Sequence, residues 1–374
     1  MQHSTAKTTQ GNSSGAVTTP DVARAAYQSI PLYSPNRTPA KIDLSDNTNL
    51  WGVPPHALRE IHTASTAAVT RYPGRYSAGL KSAIADYLDV TPGMVVTGCG
   101  SDDVLDSALR AFGDPGDIVA VLDPSFAMIP IFSMLNGLHP VGVPLTATFD
   151  ADAEGILATN AKIIYLCSPN NPTGKALQRW TIERIVDEAQ GVVIIDEAYA
   201  EFARANCLEL LRRSPRVLIT RTLSKAFGLA GLRVGYAVGD PTLVREVEKS
   251  RGPYKVNTLA ERAAIAALTE DRVWVDLTVR EALENRAGLV HALRDMELSP
   301  ISSDANFVLV PVDGAAQIDQ RMRERGVAVR PFEGLRNIGD ALRISVGPWA
   351  LLEECLSVLR EVLGHDRTQQ PEQP

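Results

Sequence analysis

The middle of the chain alternates short apolar runs with segments in which apolar residues recur at helical spacing. Six runs rich in Val and Ile lie between residues 94 and 220, and amphipathic segments such as residues 103–112 and 181–190 follow several of them. Apolar strands separated by helices predict a mostly parallel sheet that is covered by helices on both faces. The runs are residues 94–97, 118–122, 140–144, 163–167, 192–195 and 217–220.

One connection in this pattern is too short for a parallel crossover. Only a short glycine-rich stretch, residues 228–231, separates Lys225 from the next apolar run at residues 233–238. Parallel neighbours need a crossover of about a dozen residues or more. The run at 233–238 is therefore expected to be an antiparallel strand within the same sheet.

The pattern changes after about residue 249. Residues 259–296 show helical spacing without an internal proline, which predicts one long or broken helix. Strand and helix patterns then alternate to residue 363, as in a small α/β domain. The expected organisation is a disordered leader over residues 1–20, an N-terminal segment over 21–52 that packs on the small domain, a large domain over 53–255, a small domain over 256–365 and a flexible tail over 366–374.

Composition and charge narrow the possible functions. The 374 residues include 37 Lys and Arg against 44 Asp and Glu, a net charge of −7 with no basic cluster, which argues against a nucleic-acid or anionic-membrane partner. No run of about 18 apolar residues could span a bilayer, and the first 20 residues lack the apolar region of a secretory signal. The four cysteines form no C-x-x-C pair and the six histidines are scattered, so we expect no metal site and a cytoplasmic protein.

Candidate chemistry follows the predicted strands, at the points where they end. Ligands of open α/β sheets bind at the carboxyl ends of the strands, so these residues are expected to face one crevice. Five strand ends supply a glycine-rich helix start, an aromatic ring, an amide, an acid with a tyrosine, and a cluster of hydroxyls with a lysine. In chain order they are residues 98–102, Phe126, Asn171, Asp196 with Tyr199, and Thr222 with Ser224 and Lys225.

These residue types suit pyridoxal phosphate. A lysine amine can form an imine with an aldehyde, and a carboxylate can hold the pyridine nitrogen protonated so that the ring accepts electrons. An amide and a phenol can donate to the ring oxygen, and a phenyl ring can stack on the pyridine. Hydroxyls, an arginine and the first N–H groups of a helix can bind a phosphate dianion.

Several motifs also resemble those of the fold-type-I PLP-dependent aminotransferases. The similar blocks are residues 168–174 (SPNNPTG), 196–199 (DEAY) and 222–235 (TLSKAFGLAGLRVG), with further matches at residues 71–73, 256–260, 305–307 and 343–347. Within that family the chain, from about residue 30 to 363, is most similar to the histidinol-phosphate aminotransferase branch. The resemblance implies a mostly parallel seven-stranded sheet with helices on both faces and a smaller α/β C-terminal domain.

The resemblance also implies roles for individual residues. Lys225 would be the Schiff-base lysine, Asp196 would pair with the pyridine nitrogen, and Tyr199 would bind the ring oxygen. The remaining implied ligands are Asn171 at the ring oxygen; Phe126 against the ring; Thr222, Ser224, Arg233 and the amides of Ser101 and Asp102 at the phosphate; Tyr72 at the phosphate of the partner subunit; Arg343 and Arg330 at an acidic group of the substrate; and Asn47 near the substrate side chain.

The implied reaction is transamination between histidinol phosphate and 2-oxoglutarate in histidine biosynthesis, by a homodimer with shared active sites. The chain departs from the branch near the expected substrate pocket. Thr48 and Leu50 stand where the family has glutamate and proline, and Met128 and Ile129 stand where a tyrosine is often found. Two alternatives therefore stay open: an aminotransferase for an aromatic or specialised amino acid, and a decarboxylase of the threonine-phosphate type.

Overall fold

A computed structural model describes residues 27, 30 and 39–368 of the chain, with side chains to residue 364. The predicted leader over residues 1–20 lies outside the described residues, as do residues 369–374. The last helix continues to Thr368 and so includes the first residues of the tail predicted from residue 366. No helix among the described residues is both long and apolar enough to cross a membrane.

The larger sheet has seven strands in the order β2-β8-β7-β6-β5-β3-β4. All neighbours are parallel except β8, which runs antiparallel to both β2 and β7. The predicted fold class is confirmed, and so is the antiparallel strand after Lys225. The bounds are β2 Val95–Cys99, β3 Ile118–Asp123, β4 His139–Pro144, β5 Ile163–Cys167, β6 Val192–Asp196, β7 Val217–Thr222 and β8 Val234–Gly239.

Helices cover both faces of this sheet, and the central strands are buried on both. Along β5, Ile164 and Leu166 belong to one apolar core, while Ile163 and Tyr165 belong to the other. A strand buried on both sides cannot alternate apolar with polar residues. This is why β5 reads as a continuous apolar run in the sequence and why its bounds could be predicted.

Among the described residues there are twelve α-helices. They are α1 Pro55–His62, α2 Thr66–Thr70, α3 Ala78–Leu88, α4 Gly100–Phe112, α5 Met128–Leu135, α6 Ala153–Ala158, α7 Arg179–Glu188, α8 Pro241–Lys249, α9 Thr258–Thr269, α10 Arg272–Asp295, α11 Ala315–Glu324 and α12 Trp349–Thr368. Short 3-10 turns occur at Arg75–Ser77, Pro92–Met94, Ala200–Phe202, Leu208–Arg212 and Ala230–Leu232.

The helical pattern at residues 259–296 is two helices, α9 and α10, and Asp271 between them makes tertiary hydrogen bonds. The Asp271 carboxylate is buried and accepts hydrogen bonds from the backbone N–H groups of His56, at 3.1 Å, and Ala57, at 2.9 Å. His56 Nδ1 lies 2.6 Å from the same carboxylate. Asp271 thus satisfies the first N–H groups of α1, which have no partner within their own helix.

The C-terminal part contains a three-stranded antiparallel sheet in the order β11-β12-β9, with bounds Arg330–Leu335, Gly339–Ser345 and Phe307–Pro311. The strand pattern that the sequence shows at residues 327–332 corresponds to two strands. Its first part, β10 Val327–Ala328, pairs in parallel with β1 Ile42–Asp43, and its second part is β11. The N-terminal segment therefore lies against the C-terminal part, while the domain boundaries remain a prediction.

Candidate active site

Lys225 lies in the loop that follows β7. Its Nζ donates to the backbone oxygen of Asp46 at 3.1 Å and lies 5.8 Å from the centre of the Tyr199 ring. Burial, together with the nearby guanidinium of Arg343, lowers the pKa of Lys225 to about 8. An amine with such a pKa is partly neutral near physiological pH, which makes it a nucleophile and a proton acceptor.

Asp196 ends β6, and its carboxylate is buried with 3% exposure. Its Oδ2 accepts from the Tyr165 hydroxyl at 2.6 Å, and its Oδ1 accepts from the Ala198 N–H at 3.1 Å. Burial raises the pKa of Asp196 to about 6, although the hydrogen bond from Tyr165 opposes the shift. Across residues 39–364 no cation forms an ion pair with Asp196, so a positively charged ring nitrogen fits this site.

The Tyr199 hydroxyl accepts from Asn47 Nδ2 at 3.2 Å, and its ring packs edge-on against Phe307 at 5.1 Å. Burial raises the pKa of Tyr199 above its ordinary value, so the phenol stays protonated and can donate. Asn47 is 1% exposed and has φ of 55°, and its Oδ1 accepts from the Ser345 hydroxyl at 3.0 Å. The amide predicted to lie near the substrate therefore holds Tyr199 in place.

Arg343 joins the C-terminal part to the end of β5. Its Nη1 donates to Asn171 Oδ1 at 2.7 Å, and its Nη2 donates to the backbone oxygen of Ser45 at 2.6 Å. The guanidinium lies 5.4 Å from the centre of the Phe307 ring and 5.6 Å from that of Phe332. At 7% exposure it is held at a defined place beside the predicted cofactor residues.

A group of donors at the ends of β7 and β2 has the composition of a phosphate site. The Thr222 hydroxyl donates to Ser224 Oγ at 3.0 Å and accepts from the Ser224 N–H at 3.1 Å. Arg233 Nη2 donates to the carboxylate of Asp102, in the first turn of α4, at 3.1 Å. A helix start, two hydroxyls and a half-exposed guanidinium together can bind a dianion.

Two glycines allow this arrangement. A Cβ at Gly235 would lie 2.1 Å from the backbone nitrogen of Ser101, so only glycine lets β8 pass this close to the start of α4. Gly100 has φ of 79°, and a Cβ there would lie 2.5 Å from Arg233 Nη2. The close approach brings Arg233 next to the first N–H groups of the helix.

Three predicted residues lie apart from this hydrogen-bonded group. Phe126 is half-buried after β3 and packs against the apolar core beside that strand. Arg330 lies directly opposite Arg343 in the pairing of β11 with β12. Tyr72 is 84% exposed, stacks on Tyr254 with ring centres 5.0 Å apart, and lines a surface pocket of about 500 Å³.

Several residues of the site were not predicted from the sequence. Tyr165 is bound to Asp196, and the only signal for it was a hydroxyl in an otherwise apolar run. Asn170, also buried, accepts from Ser125 Oγ at 2.7 Å and donates to the Pro124 oxygen at 3.1 Å, which ties the loop after β3 to the loop after β5. The backbone oxygens of Ser45 and Asp46 have no sequence signature, because any residue supplies one.

Comparison with known proteins decides the family. Residues 39–359 match the model of the family described as aminotransferase class I and II. The chain belongs to this family. It is 33% identical to the histidinol-phosphate aminotransferase of Caldanaerobacter subterraneus subsp. tengcongensis, over 92% of this chain and 99% of that protein. It is 34% identical to the protein of the same name from Synechocystis, over 91% and 98% of the two chains.

A solved structure gives the same result. The histidinol-phosphate aminotransferase from Sinorhizobium meliloti, in complex with pyridoxal 5′-phosphate, superimposes with a TM-score of 0.85 at 25% identity, over 94% of this chain and 100% of that chain. The protein is therefore a PLP-dependent aminotransferase with the predicted fold and cofactor. The buried acid without a cation partner and the phosphate-type donors are what this cofactor requires.

Proposed function

We propose that the enzyme transfers the amino group of histidinol phosphate to 2-oxoglutarate, a step of histidine biosynthesis in the cytoplasm. The names of the similar proteins support this donor. The observation that carries the proposal is the buried guanidinium of Arg343, hydrogen-bonded to Asn171 beside Lys225 and Tyr199. Both substrates carry an acidic group, and both half-reactions of a transaminase use one site.

The residues fit the parts of the cofactor one by one. Lys225 would hold the aldehyde carbon, Asp196 the ring nitrogen, Tyr199 and Asn171 the ring oxygen, and Phe126 the face of the ring. Thr222, Ser224, Arg233 and the amides of Ser101 and Asp102 would hold the phosphate. When bound, PLP supplies an electron sink for the pair released at the substrate Cα.

The protein groups then control protons and orientation. Lys225 Nζ, with its lowered pKa, would take the proton from the substrate Cα and deliver it, in a 1,3-shift across the imine nitrogen, to the carbon that was the cofactor aldehyde. Asp196 keeps the ring nitrogen protonated, and Tyr199 donates to the ring oxygen because burial keeps its phenol neutral. Asn47 keeps the Tyr199 hydroxyl in place through the 3.2 Å hydrogen bond.

Arg343 binds the acidic group of the substrate. Its guanidinium presents a planar fork that matches a carboxylate or a phosphate. The hydrogen bonds to Asn171 and Ser45 and the two flanking phenyl rings fix its orientation before the substrate arrives. Arg330, opposite Arg343 in the sheet, is the second candidate for the same role.

We propose a homodimer in which Tyr72 completes the phosphate site of the partner subunit. Its 84% exposure and its stacking on the half-exposed Tyr254 leave two aromatic rings on the surface, and Val69 beside them is 71% exposed. Large aromatic residues are enriched at protein interfaces. Mixing inactive Lys225→Ala and Tyr72→Ala chains should restore activity through one intact site per hybrid dimer. Hybrids without activity would exclude a shared site.

A second candidate keeps the chemistry and changes the amino donor to an aromatic or specialised amino acid. The segment with the altered motif reaches the lysine loop, since Asn49 Nδ2 donates to the backbone oxygen of Ala226 at 2.9 Å. Next to it, Leu50 packs so tightly on Gly347 that a Cβ there would lie 2.7 Å from Leu50 Cδ1. A leucine side chain is longer and more flexible than the proline of the family, which favours an altered side-chain pocket.

A half-reaction screen distinguishes these donors. The PLP-loaded enzyme is mixed with histidinol phosphate, with aromatic amino acids and with threonine phosphate, and the loss of the cofactor's visible absorbance is followed. The first proposal is supported if the absorbance is lost rapidly with histidinol phosphate and with none of the other amines, and if 2-oxoglutarate restores it. A faster reaction with an aromatic amino acid would replace it by the second, and release of carbon dioxide would identify a decarboxylase.

A further inference from the structure

Tyr165 lies behind the predicted cofactor site, in the centre of the large sheet. It occupies the middle of β5 and is 1% exposed. Its hydroxyl lies 2.6 Å from Asp196 Oδ2, on the neighbouring strand β6. Burial raises the pKa of Tyr165 well above its usual value, and the adjacent Asp196 charge adds to the shift. The phenol therefore stays protonated, and its O–H donates to the carboxylate.

The surroundings make this hydrogen bond important for the charge of Asp196. The titratable groups that face the carboxylate are Tyr165 and Cys167 from β5, Asp102 from α4 and Tyr199 from the loop after β6. None of these is a cation. Burial disfavours the ionised carboxylate, while the hydrogen bond from Tyr165 favours it. The bond also fixes the direction of Oδ2, and a carboxylate with about four acceptor positions keeps capacity for another donor.

We propose that Tyr165 is a positioning residue, which orients the Asp196 carboxylate and keeps it ionised so that it can hold the ring nitrogen of PLP protonated. The inference rests on the proposed pairing of Asp196 with that nitrogen. It explains a hydroxyl in a strand whose other residues are apolar. A phenylalanine would fill the same space in the core and would leave the buried carboxylate with one donor fewer.

The pH dependence of the loaded enzyme's visible spectrum tests this role without measuring turnover. A protonated ring nitrogen makes it harder to place a second positive charge on the nitrogen of Lys225. If the Asp196 carboxylate is less ionised, it keeps the ring nitrogen protonated less well, and the Lys225 nitrogen holds its proton to a higher pH. The pH midpoint of the absorbance change should therefore rise. Tyr165→Phe is expected to raise it by about one pH unit, the size of a hydrogen bond to a charged group.

Two variants serve as references. Tyr236→Phe removes a hydroxyl from an equally buried tyrosine on β8 of the same sheet, and its midpoint should equal that of the unmodified protein. Asp196→Asn should raise the midpoint at least as far as Tyr165→Phe. If the midpoint shifts in Asp196→Asn but not in Tyr165→Phe, the role of Tyr165 is overturned and the role of Asp196 stands. If the midpoint shifts in neither variant, the proposed role of Asp196 is overturned.

A difluorotyrosine at position 165 tests the same point in a chain that keeps its packing. Fluorine makes the phenol a stronger donor, so the midpoint should move down, opposite to the change in Tyr165→Phe. A purely structural role predicts no opposite movement. An unchanged or raised midpoint in the fluorinated protein would contradict the inference, even if Tyr165→Phe failed to fold.

Discussion

The two sides of the crevice are assembled differently. The cofactor side, which we define as Asp196, Thr222, Ser224, Lys225 and Arg233, lies on or next to the ends of three neighbouring strands of one sheet. Short stretches of sequence therefore hold its chemistry together. The hydrogen bonds between Thr222 and Ser224 join residues that are two positions apart, although Lys225 also donates to Asp46 and Arg233 to Asp102, which lie far away in the chain.

The substrate side, which we define as Ser45, Asn47, Arg330, Arg343 and Ser345, joins distant segments. Arg343 binds the Ser45 oxygen and Ser345 binds Asn47, in each case across 298 positions of sequence. The altered motif around Thr48 and Leu50 belongs to the same segment. Short local segments of sequence thus supply the residue types of the cofactor side, while the contacts of the substrate side depend on how the two ends of the chain meet.

The largest expected effect is on the cofactor side. Lys225→Ala removes both the group that holds the cofactor aldehyde and the proton carrier at Cα, so turnover should fall by about four orders of magnitude or more. Steady-state kinetics measures the loss, and circular dichroism confirms the fold. A variant that kept about a tenth of the activity would refute the assignment.

Asp196→Asn tests the same side at the ring nitrogen. An amide cannot hold that nitrogen protonated, so the rate of the half-reaction should fall by about a thousandfold, while the cofactor stays attached. Single-turnover absorbance measurements separate the two effects. Unchanged single-turnover rates would exclude the proposed role.

Arg343→Ala addresses the substrate side. Removing one partner of a buried, hydrogen-bonded charge pair should reduce the free energy of substrate binding by about 3 kcal/mol in both half-reactions. Arg343→Lys should recover only part of this loss, because an ammonium lacks the planar fork. The cofactor spectrum should not change, since the phosphate is assigned to Arg233. If the apparent affinities for both substrates are intact, the acidic group of the substrate is bound elsewhere, and Arg330 becomes the candidate.

The smallest effect concerns stability without cofactor. The pKa of Lys225 is lowered to about 8 in the fold, so the unfolded chain binds more protons above that pH, and the native state gains stability as the pH rises toward 10.5. Lys225→Met should therefore be more stable than the unmodified protein at pH 7, by about 2 kcal/mol. Denaturant unfolding at several pH values should show this advantage shrinking above pH 8; an advantage independent of pH would speak against the shifted amine.

The same contrast explains what the sequence could predict. Strand β5 was predicted with its observed bounds, since a strand buried on both faces is a continuous apolar run, and the antiparallel β8 followed from a short connection. A break in the helical pattern at residues 259–296 was left open, but the contact of Asp271 with a helix about 200 residues away could not be predicted, because it depends on tertiary packing. Asn47 was predicted to lie near the substrate, and its hydrogen bond to Tyr199 could not be foreseen because it depends on long-range packing.

We assign Lys225 as the lysine that holds the cofactor, between the cofactor side and the substrate side. Borohydride reduction of the PLP-loaded enzyme, followed by peptide mapping with mass spectrometry, tests this assignment directly. We expect one stable cofactor adduct, located on Lys225, and protection of that lysine when substrate is added before the reductant. An adduct on another lysine, such as Lys255 beside Asp103, or a modified Lys225 that substrate does not protect, would contradict it.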